Sequence, residues 1–210
     1  MNRVLLVDDH QVVRDGLKEI VREALPDPVF GETGTAPEAV RLATEQDWDL
    51  AVVDISLGGR SGLDLLGELK RVRPAMQVLV LSMHPGAQYA RRAYRLGASG
   101  YITKDRPRAE LVAALLKVRQ GGRYISPELA EQFVLDIGRD HADPPHHALS
   151  DRELEVLRQL GAGKTVGEIA ALLNISDKTV STYKARIQEK TALKGTAELI
   201  RYAIEHGLVP

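Results

Sequence analysis

Cysteine is absent from the 210 residues, which excludes a disulfide framework, a thiolate zinc site and a cysteine nucleophile. Long apolar runs are missing too. The longest, Leu111 to Leu116, falls far short of the ~20 residues that span a bilayer. At the N-terminus Val4 to Val7 is cut off by Asp8 and Asp9, too short for a signal core. These absences predict a soluble cytoplasmic chain with no membrane partner. A surplus of either charge sign is lacking as well: 28 Lys+Arg against 29 Asp+Glu leave a net −1. Taken alone, that balance argues against a nucleic-acid binder, because phosphate neutralisation wants a basic surface. What is present, 44% apolar and 27% charged residues, is ordinary for a globular chain and argues against collagen, coiled coil and disorder. At roughly 100–200 residues per domain the length allows one large domain or two small ones.

The pattern favours two. Val4-Leu5-Leu6-Val7, Leu50-Ala51-Val52-Val53 and Val78-Leu79-Val80-Leu81 are short apolar runs bounded by polar residues, the signature of strands buried on both faces of a parallel sheet. Tyr101-Ile102-Thr103 and the weaker Val29-Phe30 are two further candidates. Helix-period segments lie between them: Val12 to Ala24, Pro37 to Gln46, Gly62 to Val72, Gln88 to Leu96 and Pro107 to Arg119. Five β-α units predict a doubly wound α/β domain over residues 1–122. Residues 123–148 read as a linker with one helix, Ser126 to Ile137, opened by Ser126 as N-cap and Pro127 at the first helical position. The Arg139 to Ala148 stretch, with its Pro144-Pro145 pair and three histidines, reads as a polar tether.

From Leu149 onward no strand signal remains. Ser150-Asp151-Arg152-Glu153 and Thr165-Val166-Gly167-Glu168 are capping boxes ahead of apolar helix faces. Ser176 can cap a third helix reaching Lys190, and a fourth runs from about Ala197 to Glu205. Four short helices over 149–210 predict a small all-α domain. Within it, the second and third helices, joined by the turn at Asn174-Ile175, form a helix-turn-helix.

In an open α/β sheet ligands collect at the carboxyl ends of the strands. Here those ends carry Asp8 and Asp9, Asp54, Ser82, and Lys104 just beyond Tyr101. Three carboxylates do not share a dry crevice unless a cation or proton offsets them. Carboxylate oxygens completed by water suit Mg²⁺, and an ammonium beside a hydroxyl makes a place for a phosphoryl group. Each carboxylate singly could be a helix cap or a solvated loop residue. The set is another matter. Asp8-Asp9, Asp54, Ser82 and Tyr101-x-x-Lys104 resemble the receiver domain of two-component response regulators, over about residues 1–122. The resemblance implies that Asp54 takes a phosphoryl group from a sensor histidine kinase. It further implies that Asp9, Asp54 and the backbone carbonyl of Ser56 hold Mg²⁺ with Asp8 assisting through water. Lys104 and Ser82 would meet the phosphoryl oxygens, and Tyr101 would turn inward as Ser82 moves. One departure stands out: where the family usually reads x-x-Met-Pro after the phosphoacceptor, this chain has Ile55-Ser56-Leu57-Gly58-Gly59, a looser loop.

The second resemblance covers 149–210. Leu149-Ser150-x-Arg152-Glu153-x-Glu155-Val156-Leu157, Glu168-Ile169-Ala170 and Ser176-x-Lys178-Thr179-Val180 are similar to the LuxR-type DNA-binding domain. Joined to a receiver, this is similar to the NarL/FixJ class of response regulators. At 100° per residue Val180, Tyr183 and Ile187 fall inward, while Lys178, Ser181, Thr182 and Ala185 share the outer face. That face suits base edges in a major groove, with Lys184 and Arg186 flanking it towards phosphates. The family's base-reading positions match Lys178, Ser181 and Thr182, and many members carry lysine where this chain has Ser181. Thr165, at the preceding helix start, could offer backbone N–H groups to a phosphate. Leu199, Ile200, Ala203 and Ile204 could serve the domain core or a dimer seam. The charge is local: within 178–190, Lys178, Lys184, Arg186 and Lys190 face Glu189 alone.

These readings predict a phosphorylation-activated, homodimeric regulator of double-stranded DNA, not a metabolic enzyme. A phosphatase of the haloacid-dehalogenase type would need a carboxylate where Ser56 stands. A small-molecule sensor would need an apolar cavity in place of an acidic crevice. An architectural DNA binder would leave five polar positions idle.

Overall fold

Valine and leucine in short runs cannot bury a single stripe, so they are stable only where layers cover both sides. The computed structural model describes residues 2–57, 60–83, 87–137 and 144–209, and its first part is that layered solution. Strand β1 (Asn2–Val7) is followed by α1 (Gln11–Ala24), β2 (Pro28–Thr33), α2 (Ala36–Glu45) and β3 (Leu50–Asp54). A two-residue pair, β4 (Ser56–Leu57) and β5 (Arg60–Ser61), precedes α3 (Gly62–Val72) and β6 (Gln77–Ser82). Then come α4 (Ala87–Arg95), β7 (Gly100–Thr103), α5 (Arg108–Arg119) and α6 (Pro127–Ile137). Five strands form one parallel sheet in the order β2-β1-β3-β6-β7, the doubly wound topology expected from the alternation of runs.

Successive strand residues point to opposite faces. Val4, Leu6, Val52, Leu79, Leu81 and Ile102 meet Leu17 and Val21 of α1 and Ala114, Leu115 and Val118 of α5. The alternate residues Leu5, Val7, Ala51, Val53, Val78 and Val80 are buried as well. Each such valine, leucine or isoleucine contributes about 1.5–3 kcal/mol through burial, which pins the register that aligns the strand ends. Trp48 belongs to this core: it is buried and donates its indole N–H to the Leu42 carbonyl at 3.0 Å.

The short β4–β5 hairpin is not visible in the apolar pattern. It pairs Ser56 with Ser61 and Leu57 with Arg60. Gly58-Gly59, the departure noted above, lies outside the described residues, as does the 139–143 part of the tether. The part that is described is structured: Pro145–Ala148 forms a 3₁₀ turn in which His146 is buried against Tyr202, with Nδ1 2.8 Å from its hydroxyl.

Contacts divide the chain into two units, 1–139 and 140–210. The second contains α7 (Asp151–Gly161), α8 (Val166–Leu173), α9 (Asp177–Thr191) and α10 (Thr196–Glu205). Both capping boxes form with their reciprocal bonds, and the Ser176 hydroxyl accepts the Thr179 N–H. Asn174 closes α8 in the left-handed region, φ 52°, a conformation asparagine tolerates better than most residues. That single residue makes the turn tight enough for α9 to follow at once. Leu154, Leu157, Ile169, Val180, Ile187 and Leu199 are the core of this unit.

Candidate functional site

All five strands run parallel, so their carboxyl ends meet at one edge, and the polar residues that end the apolar runs meet there too. Asp8 and Asp54 are almost completely buried, and Ser82 is fully buried. Asp54 and Leu81 are register partners, which places Ser82 one step beyond Asp54 on the adjacent strand. Lys104 follows β7, and its N–H donates to the Ser82 carbonyl at 2.7 Å. Its ammonium then reaches across the edge, 2.7 Å from Asp8 Oδ2 and 2.9 Å from Asp54 Oδ2.

The electrostatics follow from burial. Desolvation raises the Asp54 carboxyl above its usual range, and the Asp8 charge adds to this. The Lys104 hydrogen bond and charge and the Ser56 amide pull the other way without prevailing. Burial depresses the Lys104 ammonium, yet hydrogen bonds to Asp8 and Asp54 outweigh it and hold the group above its ordinary value. Asp54 Oδ1 is buried without a hydrogen-bond partner, an arrangement that normally calls for an ion, a water or a reacting group.

Asp9 is the exposed member of the acid pair. His10 Nδ1 lies 2.8 Å from Asp9 Oδ1 and 3.4 Å from Asp8 Oδ1. The His10 ring, at the start of α1, makes no side-chain cap bond and stays largely exposed. Asp8, Asp9 and His10 offer ligand atoms within 4.8 Å of one another. Acidic donors in excess of the one ammonium, beside an orphaned carboxylate oxygen, fit a hard divalent cation such as Mg²⁺.

Two supporting residues carried no signal in the apolar pattern. Arg14 Nη1 donates to the Asp8 carbonyl, and Nη2 to Gln11 Oε1, so the first turn of α1 grips the acid loop. Its position four residues after His10 puts it over that loop, a spacing from which it could have been found. Gly62 sits so close to the chain after Asp54 that a Cβ there would lie 2.1 Å from the Asp54 carbonyl oxygen. Only glycine lets β5 fold back beside Asp54.

Tyr101 is wholly buried on β7, paired with Val80. In the second unit, Val180 and Ile187 are fully buried and Tyr183 half-buried, while Lys178, Ser181, Thr182, Ala185 and Arg186 are exposed and Lys184 half-exposed. Thr182 Oγ1 donates to the Lys178 carbonyl at 2.9 Å, which ties its hydroxyl proton to the helix backbone. Lys190 is committed elsewhere: its ammonium is 2.6 Å from Glu153 Oε2, so its charge serves the α7 cap. Thr165 donates its N–H and its hydroxyl to Glu168 Oε2, each at 2.8 Å. A carboxylate thus stands at the helix start where a phosphate would approach.

Among the described residues no helix is long and apolar enough to cross a membrane. The model of the response regulator receiver domain matches residues 4–116, and that of the bacterial regulatory proteins of the luxR family matches 147–203. Response regulator UvrY of Escherichia coli K12 is 34% identical over 209 residues, 99% of this chain and 96% of that protein. A LuxR-family two-component response regulator from Aurantimonas is 35% identical, with a TM-score of 0.60 over 65% of this chain and 98% of its own. RcsB of Salmonella enterica serovar Typhimurium, solved bound to a promoter in the presence of the phosphomimetic BeF3⁻, is 26% identical with a TM-score of 0.59, covering 96% of this chain and 97% of its own. Another structure holds two RcsB dimers bound to two parallel DNAs.

Proposed function

The chain belongs to the two-component response regulators of the NarL/FixJ class, and on that premise we propose that Asp54 accepts a phosphoryl group from a sensor histidine kinase and that the modified chain pairs on double-stranded DNA. It is a phosphoacceptor, not a metabolic enzyme. The observation that carries the reading is the convergence of Asp8, Asp54 and Lys104 within 2.9 Å contacts, in a chain that also holds a helix-turn-helix.

In the transfer, an Asp54 carboxylate oxygen forms a bond to phosphorus as the phosphorus–nitrogen bond of the kinase phosphohistidine breaks. The imidazole nitrogen leaves with the electron pair and takes a proton from water. Asp54 must be ionised to do this, and Lys104 favours that form against the cost of burial. Asp9, Asp54 and the Ser56 carbonyl would hold Mg²⁺, with Asp8 acting through water. When bound, the ion would neutralise charge on the phosphoryl oxygens. Lys104 would exchange a carboxylate contact for a phosphoryl oxygen, and the Ser82 hydroxyl would donate to another. Both respond to the roughly −1.5 to −2 charge that phosphorylation adds. Tyr101 would follow Ser82 inward.

In the second unit, Lys178, Ser181, Thr182 and Ala185 would meet base edges and Lys184 and Arg186 phosphates, while the backbone at Thr165 would meet a further phosphate only where Glu168 gives up the Thr165 N–H it now holds. So modest a basic face suits a homodimer on two half-sites, where the second contact benefits from the first. The RcsB complexes support this use of the architecture. The test is Asp54→Asn. Acetyl phosphate should strengthen DNA binding and dimerisation of the native chain and leave the variant unchanged; an equal response in the variant would remove Asp54 from the switch.

A further inference from the structure

Helix α6 is fastened to the side of the sheet on which Tyr101 lies. At its start, the Ser126 hydroxyl accepts the Leu129 N–H. Arg106, just ahead of α5, lies with Nη2 3.0 Å from Glu128 Oε2 and Nη1 3.7 Å from Glu110 Oε2. Tyr124, just before the helix, donates its hydroxyl to Glu110 Oε1 at 2.8 Å and its N–H to the Ser99 carbonyl at 2.9 Å. Farther along, Phe133 meets Tyr94 of α4 edge-on, ring centroids 6.0 Å apart, and the Arg91 guanidinium lies 5.4 Å over the Phe133 ring. Between α6 and the sheet is a cavity of about 50 Å³, walled by Tyr101 and Arg106 on one side and Ser126, Glu128, Leu129 and Gln132 on the other. Two residues after α6 ends at Ile137, the first unit ends.

We propose that α6 is a latch on the Tyr101 side of the receiver, and that it undocks when Ser82 and Tyr101 move towards a phosphorylated Asp54. This rests on the roles given to Asp54, Ser82 and Tyr101 above. Ser82 and Tyr101 lie on paired strands, and an inward turn takes the Tyr101 ring out of the cavity wall it shares with Leu129. Besides the buried Leu129, the described residues hold α6 through an edge-on aromatic pair, a cation over a ring and an exposed ion pair, each individually weak. Such a helix sits near balance, where a small change at its support shifts the population. Release frees 11 residues of helix to lengthen the tether to the DNA-binding unit, and a longer tether lets two such units reach adjacent half-sites.

The experiment is hydrogen exchange and DNA binding on the full chain, with and without BeF3⁻ and Mg²⁺. Peptides spanning 127–137 should exchange faster with BeF3⁻. Phe133→Ala and the milder Glu128→Gln should each raise DNA affinity without BeF3⁻, by about 3- to 10-fold for the lost aromatic pair, and shrink the further gain from BeF3⁻ by the same factor. Labelling of Asp54 by acetyl phosphate should stay at the native rate in both. Unchanged or slower exchange in 127–137 while DNA affinity rises, or a native response in both variants, overturns the latch but leaves the phosphoacceptor reading standing. If BeF3⁻ changes neither DNA affinity nor exchange around Asp54, the phosphoacceptor reading fails and the latch falls with it.

Discussion

The Lys104 ammonium is 2.9 Å from Asp54 Oδ2 while also holding Asp8 Oδ2 at 2.7 Å. One cation therefore keeps two buried carboxylates apart from each other's repulsion, at the place where a divalent ion fits. Lys104 and a metal ion answer the same charge.

That competition is measurable. Lys104→Met removes the internal counter-ion and should destabilise the metal-free protein by about 3 kcal/mol, as expected when one partner of a buried pair is deleted. Mg²⁺ should recover more of this loss than it adds to the native chain, because the variant's carboxylates have no other cation. Thermal melts in chelator and in Mg²⁺ check it. A variant whose midpoint responds to Mg²⁺ no more than the native chain would show that Lys104 is not the balancing charge.

The raised Asp54 carboxyl gives a pH signature. The folded state holds that proton more tightly than the unfolded chain, so ionised Asp54 costs stability above its folded pKa, and the cost fades as pH falls to the ordinary carboxylate value. Asp54→Asn should therefore melt higher than the native chain at pH 7 in chelator. The gap should close on acidification. A gap that widens towards low pH would mean that Lys104, not burial, sets the Asp54 proton affinity.

Most of the sheet was legible because its strands are buried on both faces: runs such as Val4 to Val7 and Val78 to Leu81 have no competing reading at that length. The β2 edge gave a weaker signal, since Pro28–Thr33 is only partly buried. The strand-end acids were legible as residues, and their meeting followed from parallel strands. What the sequence concealed is long-range side-chain pairing. Glu153 reads as half of a capping box, and only the fold brings Lys190, 37 residues on, to its other side. Gly62 was equally silent, because its need for a bare Cα comes from the Asp54 carbonyl opposite.

Glu153 connects the α7 cap to α9. Burial would raise its carboxyl, but Lys190 and the Ser150 N–H and hydroxyl prevail and hold it below the ordinary value. Stability from a depressed carboxyl is present above the unfolded-state pKa and lost as pH falls towards the folded one. Glu153→Gln should accordingly destabilise the DNA-binding unit at pH 7 by about 1–3 kcal/mol, the range for a charge-assisted bond within a buried network, and the difference should vanish in acid. Denaturant titrations at pH 7 and in acid decide it. Equal losses at both would assign the effect to the cap's shape alone.

On the outer face of α9, position separates specificity from affinity. Lys178 opens the exposed stripe that continues through Ser181, Thr182 and Ala185, whereas Arg186 lies to its side. Lys178→Ala should cost about 1–3 kcal/mol on the cognate operator and little on random DNA, as loss of a base-edge contact does. Arg186→Ala should weaken both alike and lower the salt slope by about one. Ser181 is too short to match the reach of a lysine, so Ser181→Lys should shift the preferred bases more than it changes affinity for random DNA. Lys190→Ala serves as the control: with its ammonium tied to Glu153, it should lower stability and leave the salt slope of DNA binding unchanged. Binding titrations at several salt concentrations, on operator and random duplexes, read all four. A fall in slope for Lys190→Ala equal to that for Arg186→Ala would place Lys190 on the DNA and weaken its assignment to the α7 cap.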